Sequence, residues 1–345
     1  MKRFGNLYDK IYEMENLKLA HKKARKNKTH YDEVKDVDKY EDYYLSELQQ
    51  QLKNKTYQTS EYVIFNKIEG GKERVLYKLP YFPDRVCQWA IMNVIQPILL
   101  EKLIANTFSA IPNRGIHLAN KKVRECLDND PVNTQYFVKM DIKKYYPSIN
   151  KTILKNQYAR IFKDKHLLWI LNEIIDSTPE ERGIPIGNFL SQWSGNLFLS
   201  PIDHWLKEQA RVKYVFRYMD DIILCAGTKE ELECVESGLV EQLGHIELQL
   251  KHQYQIHKVD ERGIDFAGFR LFRDYTLLRK RPVRNMKRKV GKITRKLKNK
   301  QPIYRSDVCS FFSYKGIMEW CDSYNLYSKY MHPIHATMKR ISKEV

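Results

Sequence analysis

The stretch Tyr214-Val215-Phe216-Arg217-Tyr218-Met219-Asp220-Asp221-Ile222-Ile223-Leu224-Cys225 constrains this chain more than any other. Two β-rich apolar runs, Tyr214–Tyr218 and Ile222–Cys225, flank a short polar centre, the pattern of a hairpin whose turn presents side chains outward. That turn carries two adjacent carboxylates. Neighbouring acids repel each other and lose hydration beside an apolar strand, so a cation is the usual reason to place them there. Aspartate is also ordinary turn chemistry, and the pair alone leaves both readings open.

A second stretch, Tyr136-Phe137-Val138-Lys139-Met140-Asp141-Ile142-Lys143-Lys144-Tyr145-Tyr146-Pro147, reads as an apolar strand that ends in one acid and turns at Pro147. Asp141 at that strand end could cap a helix, or it could face Asp220 and Asp221 across a sheet. In the second case three carboxylates converge without His or Cys, the hard-oxygen environment that suits Mg²⁺. Two such ions about 3.5–4 Å apart serve phosphoryl transfer by clamping the attacking and leaving oxygens.

The charge balance asks for an anionic partner. Sixty Lys and Arg stand against 42 Asp and Glu, a formal net charge of +18. The 23 Tyr, 14 Phe and 5 Trp add stacking surfaces that favour nucleic acid over a merely basic solvated surface. At 345 residues the chain exceeds the usual single-core limit, so two or three subdomains are expected. Cysteines at 87, 126, 225, 234, 309 and 321 form no metal-ligand spacing and read as reduced, buried thiols of a cytoplasmic protein. No apolar run approaches the ~18 residues of a membrane span, so no membrane partner is expected.

Residues 1–60 are polar and helix-prone, with Lys18, Lys22, Lys23, Arg25, Lys26 and Lys28 forming either a solvated face or a nucleic-acid arm. Tyr62–Phe65 and Arg74–Leu79, joined by Gly70-Gly71, predict a hairpin whose second strand carries Lys72, Arg74 and Lys78. Residues 84–104 show helical apolar spacing that Pro97 should break or kink. Phe108–His117 is a loop by its Ser, Pro, Asn and Gly content and enters a helix running to about residue 128. Arg114 sits where that loop meets the helix, a natural anion site. His117 reads as a packed or capping histidine. In Gly187-Asn188-Phe189-Leu190-Ser191-Gln192-Trp193-Ser194-Gly195, small residues at i, i+4 predict a helix face stripped of bulk.

Together these segments carry a resemblance. Asp141 with its aromatics, Ile186-Gly187-Asn188-Phe189-Leu190-Ser191-Gln192 and Tyr218-Met219-Asp220-Asp221 resemble, in order and approximate spacing, the palm of reverse transcriptases. Arg74–Pro80, Phe82–Arg85 and Ser109–His117 look like the family's fingers blocks, and Gly263–Phe269, with Gly268, looks like its primer grip. Most members have Gln-Gly followed three residues later by Ser-Pro. Here Ile186 precedes the Gly and Gln192 follows the Ser, as in the enzymes of diversity-generating retroelements, relatives of group II intron and retron reverse transcriptases.

The resemblance implies an α+β right-hand polymerase fold. Its parts would be an N-terminal helical extension (1–60), fingers (61–130), a palm of antiparallel sheet plus helices (131–270, with fingers inserted around 150–185) and a helical thumb (271–345). It implies Asp141 and Asp220 as metal-bridging ligands, Asp221 as a less essential third acid, and Lys251 as the donor of a proton to departing pyrophosphate. Arg74, Arg114, Tyr146, Ile186 and Gly187 would meet the deoxynucleotide. Tyr146 would close the ribose pocket against a 2′-hydroxyl, with Tyr145 its competitor one position away. Ser191, Gln192, Tyr218, Met219 and Gly268 would meet primer or template.

Ile186 lacks the side-chain amide that could check pairing geometry, a relaxation of ~1–3 kcal/mol. In the resembled group this accompanies misincorporation opposite template adenines. Further on, residues 279–300 hold twelve Lys or Arg and no acid. Met286, Val290, Ile293 and Leu297 at i, i+4, i+7, i+11 predict an amphipathic helix offering Arg284, Lys287 and Arg288 to phosphates. The implied cofactors are two Mg²⁺ ions, with Mn²⁺ able to substitute. The implied partners are a template RNA, its RNA/cDNA duplex, deoxynucleoside triphosphates and a small accessory protein. A retron-type or phage-defence enzyme shares the chemistry, and a non-catalytic RNA-binding module shares only the fold. No zinc endonuclease signature or ribonuclease H acidic cluster is legible, so strand removal and integration are expected to come from elsewhere.

Overall fold

The two apolar runs around Met219-Asp220 close into antiparallel strands in the computed structural model, which describes residues 3–69, 71–252 and 254–344. The strands are β1 (Val63–Glu69), β2 (Lys72–Lys78), β3 (Tyr136–Asp141), β4 (Tyr214–Tyr218), β5 (Asp221–Ala226), β6 (Ile256–Lys258), β7 (Ile264–Phe266), β8 (Phe269–Leu271) and β9 (Thr276–Leu278). They pair antiparallel as β1-β2, β4-β5-β3-β6 and β7-β8-β9. Helices make up most of the remainder, so the chain has the expected α+β class with antiparallel sheets.

Two compact units divide the chain: Met1–Ala105, Ile142–Arg211 and Ser237–Lys251 form the first; Asn106–Asp141, Val212–Glu236 and His252–Val345 form the second. The first opens with helices Tyr8–Tyr12, Met14–Ala24, Asp32–Lys39 and Glu41–Asn54. Leu17, Ala20, Leu45, Leu48 and Leu52 are fully buried there. The N-terminal basic cluster is partly neutralised from within: Lys18 meets Asp42 at 3.0 Å, Arg25 meets Asp38 at 2.7 Å, and Lys23 donates to Asn93 at 2.7 Å. Acids on the next two helices supply what the local sequence lacks. The hairpin β1-β2 forms as expected; Gly70 of its predicted turn lies outside the described residues, and Gly71 has φ +77°. Helix Val86–Leu100 runs through Pro97, which falls in its final turn, where a break removes little.

In the second unit, alternation along the sheet puts Phe137, Phe216, Ile223 and Cys225 on one face. They pack into one cluster with Val123 and Leu127 of helix Ile116–Asn129 and with Phe266 and Phe269. His117 is packed, its ring stacked 4.1 Å from Trp320. A separate cluster joins Met286, Val290 and Ile293 of helix Lys280–Lys298 to Val308, Phe311 and Met338 of the helices that follow. The predicted apolar stripe of that basic helix is therefore its packed face.

Not all of its cations face outward. Lys289 and Lys296 both reach Asp307, at 2.9 and 2.7 Å, and Asp307 is only 4% exposed. Burial pushes this carboxyl up, but the Lys296 and Lys289 ammoniums outweigh it and bring it down to about 2 from 3.8. A depressed folded-state value stabilises above the unfolded value and is lost as pH falls, here between about 4 and 2. The shift corresponds to about 2 kcal/mol. Asp307→Asn is expected to lower the unfolding free energy by about that amount at neutral pH and to flatten its pH dependence in this window, as read by urea melts at stepped pH.

Cys87, Cys126 and Cys225 are buried and Cys321 is half-buried, but Cys234 and Cys309 are exposed, contrary to the expectation for six buried thiols. Both sit on the outer faces of helices, Lys229–His245 and Arg305–Met318, where a lone Cys reads in sequence like any small apolar residue. No described helix is long and apolar enough to cross a membrane.

Candidate active site

The three acids share one edge of the second unit's sheet. Asp141 ends β3, Asp221 begins β5, and the two are direct partners in the antiparallel register. Direct partners have Cα atoms about 4.5–5.5 Å apart with side chains on the same face. Asp141 therefore stands at a sheet edge and does not cap a helix; the next helix begins at Tyr145 with Lys144 as its cap. Asp220 occupies the two-residue turn between β4 and β5, beside Met219, whose φ is +58°. Positive φ at the first turn residue matches the twist of flanking strands but is unfavourable for a side chain other than glycine. Arg217 offsets that cost. It is fully buried and donates from Nη1 to the Met219 carbonyl at 3.1 Å, bracing the turn from below.

The acids are not equivalent. Lys139, two residues before Asp141 and so on the same face, places its ammonium 3.1 Å from Asp221 Oδ2. Asp221 thereby has a cationic partner within the sheet, and Asp141 and Asp220 are the other two carboxylates at this end of it. Their donor chemistry is all carboxylate, and Asp141 Oδ1 is buried, which together fit a hard divalent ion. Among the described residues no three His, Cys, Asp or Glu side chains form a group that could hold a metal ion, so the expected convergence of all three carboxylates on one ion is not seen.

Other candidates in the second unit are spread around this sheet. Tyr218 ends β4 with its ring 6.4 Å from that of Phe266. Gly268, φ +95°, makes the β7-β8 turn, and its carbonyl accepts from the Arg279 N–H at 3.2 Å. Arg114 is half-buried and donates to the Thr107 carbonyl at 3.3 Å. Arg284, Lys287 and Arg288 are exposed on the basic helix, Lys287 with its ammonium 4.8 Å from the centre of the Tyr330 ring, whereas Lys289 and Lys296 are tied to Asp307.

The first unit holds the remaining candidates. Tyr145 is 3% exposed and its hydroxyl donates to the Gly195 carbonyl, which makes it a core residue, whereas Tyr146 beside it is half-exposed. Gly187 departs from expectation. The helix begins at Phe189, so Gly187 does not belong to its small face. It has φ +134°, and a Cβ there would collide with the Tyr77 carbonyl oxygen. Beside it, the Ile186 carbonyl accepts from the Tyr77 N–H at 2.9 Å. Ile186 and Gly187 line a cavity of about 220 Å³ with Phe65, Leu76, Tyr77 and Phe189. Ser191 is buried in the helix and Gln192 exposed on it; Arg74 is exposed on β2. Lys251, half-buried, follows Leu250, which bridges Ile142, the residue after Asp141.

Sequence reasoning missed Lys139, Arg217 and Tyr77. The first two carried a signal: a charged residue inside an apolar strand needs a partner, and strand periodicity limits where that partner lies. Tyr77 carried none, since its role is played by backbone atoms.

Residues 66–271, more than half of the chain, match the reverse transcriptase (RNA-dependent DNA polymerase) family, and the chain belongs to it. A curated relative is Protein YkfC of Escherichia coli (strain K12), 24% identical over 250 residues, covering 59% of this chain and 64% of that protein. Similar solved structures include apo telomerase from Candida tropicalis (15% identity, TM-score 0.47, 62% of this chain and 47% of that one). Another is telomerase from Candida albicans with a TWJ fragment of telomeric RNA (11% identity, TM-score 0.49, 69% and 51%). The chain thus spans about half to two thirds of the length of these relatives.

Proposed function

We propose that this chain is an RNA-directed DNA polymerase of the diversity-generating retroelement type, in which a primer 3′-hydroxyl attacks the α-phosphate of a deoxynucleotide and releases pyrophosphate. The observation that carries the reading is the placing of Asp141 and Asp220 at one end of the sheet, Asp141 opposite Asp221 in register and Asp221 already matched by Lys139, in a member of the reverse transcriptase family. Bound at those two carboxylates, Mg²⁺ ions would neutralise the transferring phosphoryl group and orient the attacking oxygen.

The protein's own residues supply the rest. Tyr146 excludes a 2′-hydroxyl sterically, Lys251 donates a proton to the leaving pyrophosphate, and Arg74 and Arg114 attract the triphosphate. Arg284, Lys287 and Arg288 hold the template–primer duplex by its phosphates. Ile186 offers a methyl surface where an amide would test the pair, which supports relaxed checking of pairing geometry; errors opposite template adenines, a template RNA and a small accessory protein are what the resemblance to the retroelement enzymes adds to the proposal. The division into N-terminal extension, fingers, palm and thumb follows the same reading.

The test is extension of a DNA primer on a defined RNA by the purified chain, with the product sequenced. Extension is expected with Mg²⁺ and is lost on chelation, with errors concentrated opposite adenines. Uniform fidelity would move the chain to the retron or phage-defence type, and absence of extension with either Mg²⁺ or Mn²⁺ would leave an RNA-binding module. Replacing Arg284, Lys287 and Arg288 together by alanine should weaken duplex binding for all sequences alike and lower the salt slope by about 3, measured by titration at several salt concentrations.

A further inference from the structure

Within the first unit, the segment Gly183-Ile184-Pro185-Ile186-Gly187 is held at both ends by backbone contacts that no side-chain motif records. At one end the Gly183 N–H donates to the Ile149 carbonyl at 2.7 Å and the Ile184 N–H to the Tyr146 carbonyl at 3.1 Å. Gly183 has φ +93°, and a Cβ there would lie 3.3 Å from the Cα and carbonyl oxygen of Pro147, the residue after Tyr146. At the other end the Tyr77 N–H donates to the Ile186 carbonyl, and Gly187 admits the Tyr77 carbonyl. Beyond Gly187, Asn188 donates to the Tyr62 hydroxyl at 2.7 Å, and Gln88 accepts from the Leu190 N–H at 3.1 Å. An outer anchor precedes the segment: Arg182 pairs with Glu247, to which Asn150 also donates at 3.0 Å.

We propose that residues 183–187 form a positioning strap that couples sugar selection at Tyr146 to base-pair checking at Ile186 and Tyr77, with Gly183 as the residue that sets the depth of the Tyr146 ring. The proposal rests on the polymerase reading above. Tyr146 lies in a helix of only four residues, Tyr145–Ser148. Tyr145 anchors one side of it to Gly195, and the strap adds a further fixed point through the Tyr146 carbonyl. A Cβ at Gly187 would collide with the Tyr77 carbonyl oxygen, and one at Gly183 would press on the Pro147 backbone by a few tenths of an ångström at a positive φ that side chains rarely adopt. A displacement at Pro147 is passed to Tyr146, and any shift of the strap is passed to Ile186, because the strap spans only five residues and includes Pro185 with its fixed φ. Misplacement of a positioning group by a fraction of an ångström is worth several-fold in rate.

The test is single-nucleotide extension with matched dNTP and rNTP, comparing kcat/KM. Gly183→Ala is expected to lower the dNTP-over-rNTP preference about five-fold or more and to change the misincorporation frequency in the same protein. In a Tyr146→Ala background, where the gate is gone, Gly183→Ala should leave the sugar preference unchanged, since the two residues act on one step. Glu247→Asn, at an exposed position of φ +58° that Asn tolerates, releases the outer anchor without touching the packed strap and should move the preference in the same direction by about two-fold. A sugar preference unchanged in both Gly183→Ala and Glu247→Asn, or an effect of Gly183→Ala that persists in full without Tyr146, overturns the strap. Failure of the unsubstituted chain to extend any primer overturns the polymerase reading instead, so the two are separable.

Discussion

Replacing Asp220 by alanine is expected to lower primer extension by about 10³-fold or more while leaving the thermal midpoint nearly unchanged. Asp220 lies in a two-residue turn, half-exposed, and the hairpin around it is held by the β4-β5 register and by Arg217 on the Met219 carbonyl. Removing the carboxylate therefore takes away little that folds the chain. Nor can its neighbour substitute, because Asp221 is committed to Lys139. Asp221→Asn should accordingly cost much less than Asp220→Ala, about ten-fold, and Asp141→Ala should match Asp220→Ala. Extension assays alongside thermal melts decide it: an Asp220→Ala protein that keeps a tenth of its activity removes that carboxylate from the chemistry.

Ile186→Gln is expected to lower misincorporation opposite template adenines by about ten-fold, the lower end of what one added hydrogen-bond test of geometry supplies. The backbone at this position is held by the Tyr77 N–H, so the substitution changes the side chain and not the course of the chain. The cavity of about 220 Å³ beside it is lined by Phe65, Leu76 and Gly187, space into which an amide one heavy atom longer than the isoleucine can extend. Sequencing of cDNA from the two proteins on the same RNA provides the comparison. An identical error spectrum would detach fidelity from residue 186.

What could be read beforehand was what depends on near neighbours and periodicity. The β4-β5 hairpin, the strand ending at Asp141, the helix starting near Ile116 and the apolar stripe of Lys280–Lys298 all follow from alternation or 3.6-residue spacing. The pairing of Asp141 with Asp221 was an inference across some eighty residues, and the register places them opposite each other. What was not legible depends on backbone approach or on distant partners. Gly187 looked like part of a small helix face because its reason is a carbonyl more than a hundred residues earlier in the chain. Nothing in the charge run itself sets Lys289 and Lys296 apart from its other cations, because Asp307 lies beyond the run. The N-terminal lysines looked unrelieved for the same reason.

The alternation of the chain between its units has a bearing on how the protein can be made and dissected. Each unit is assembled from three separate stretches, and Asp141 and Ile142 fall on opposite sides of one crossing. No single cut releases either unit intact, and a ribosome must deliver residue 251 before the first is complete. Fragments ending anywhere between residues 105 and 251 should emerge with unsatisfied apolar surface and aggregate, whereas loss of the last helix, His332–Ile341, removes only one wall of a local cluster.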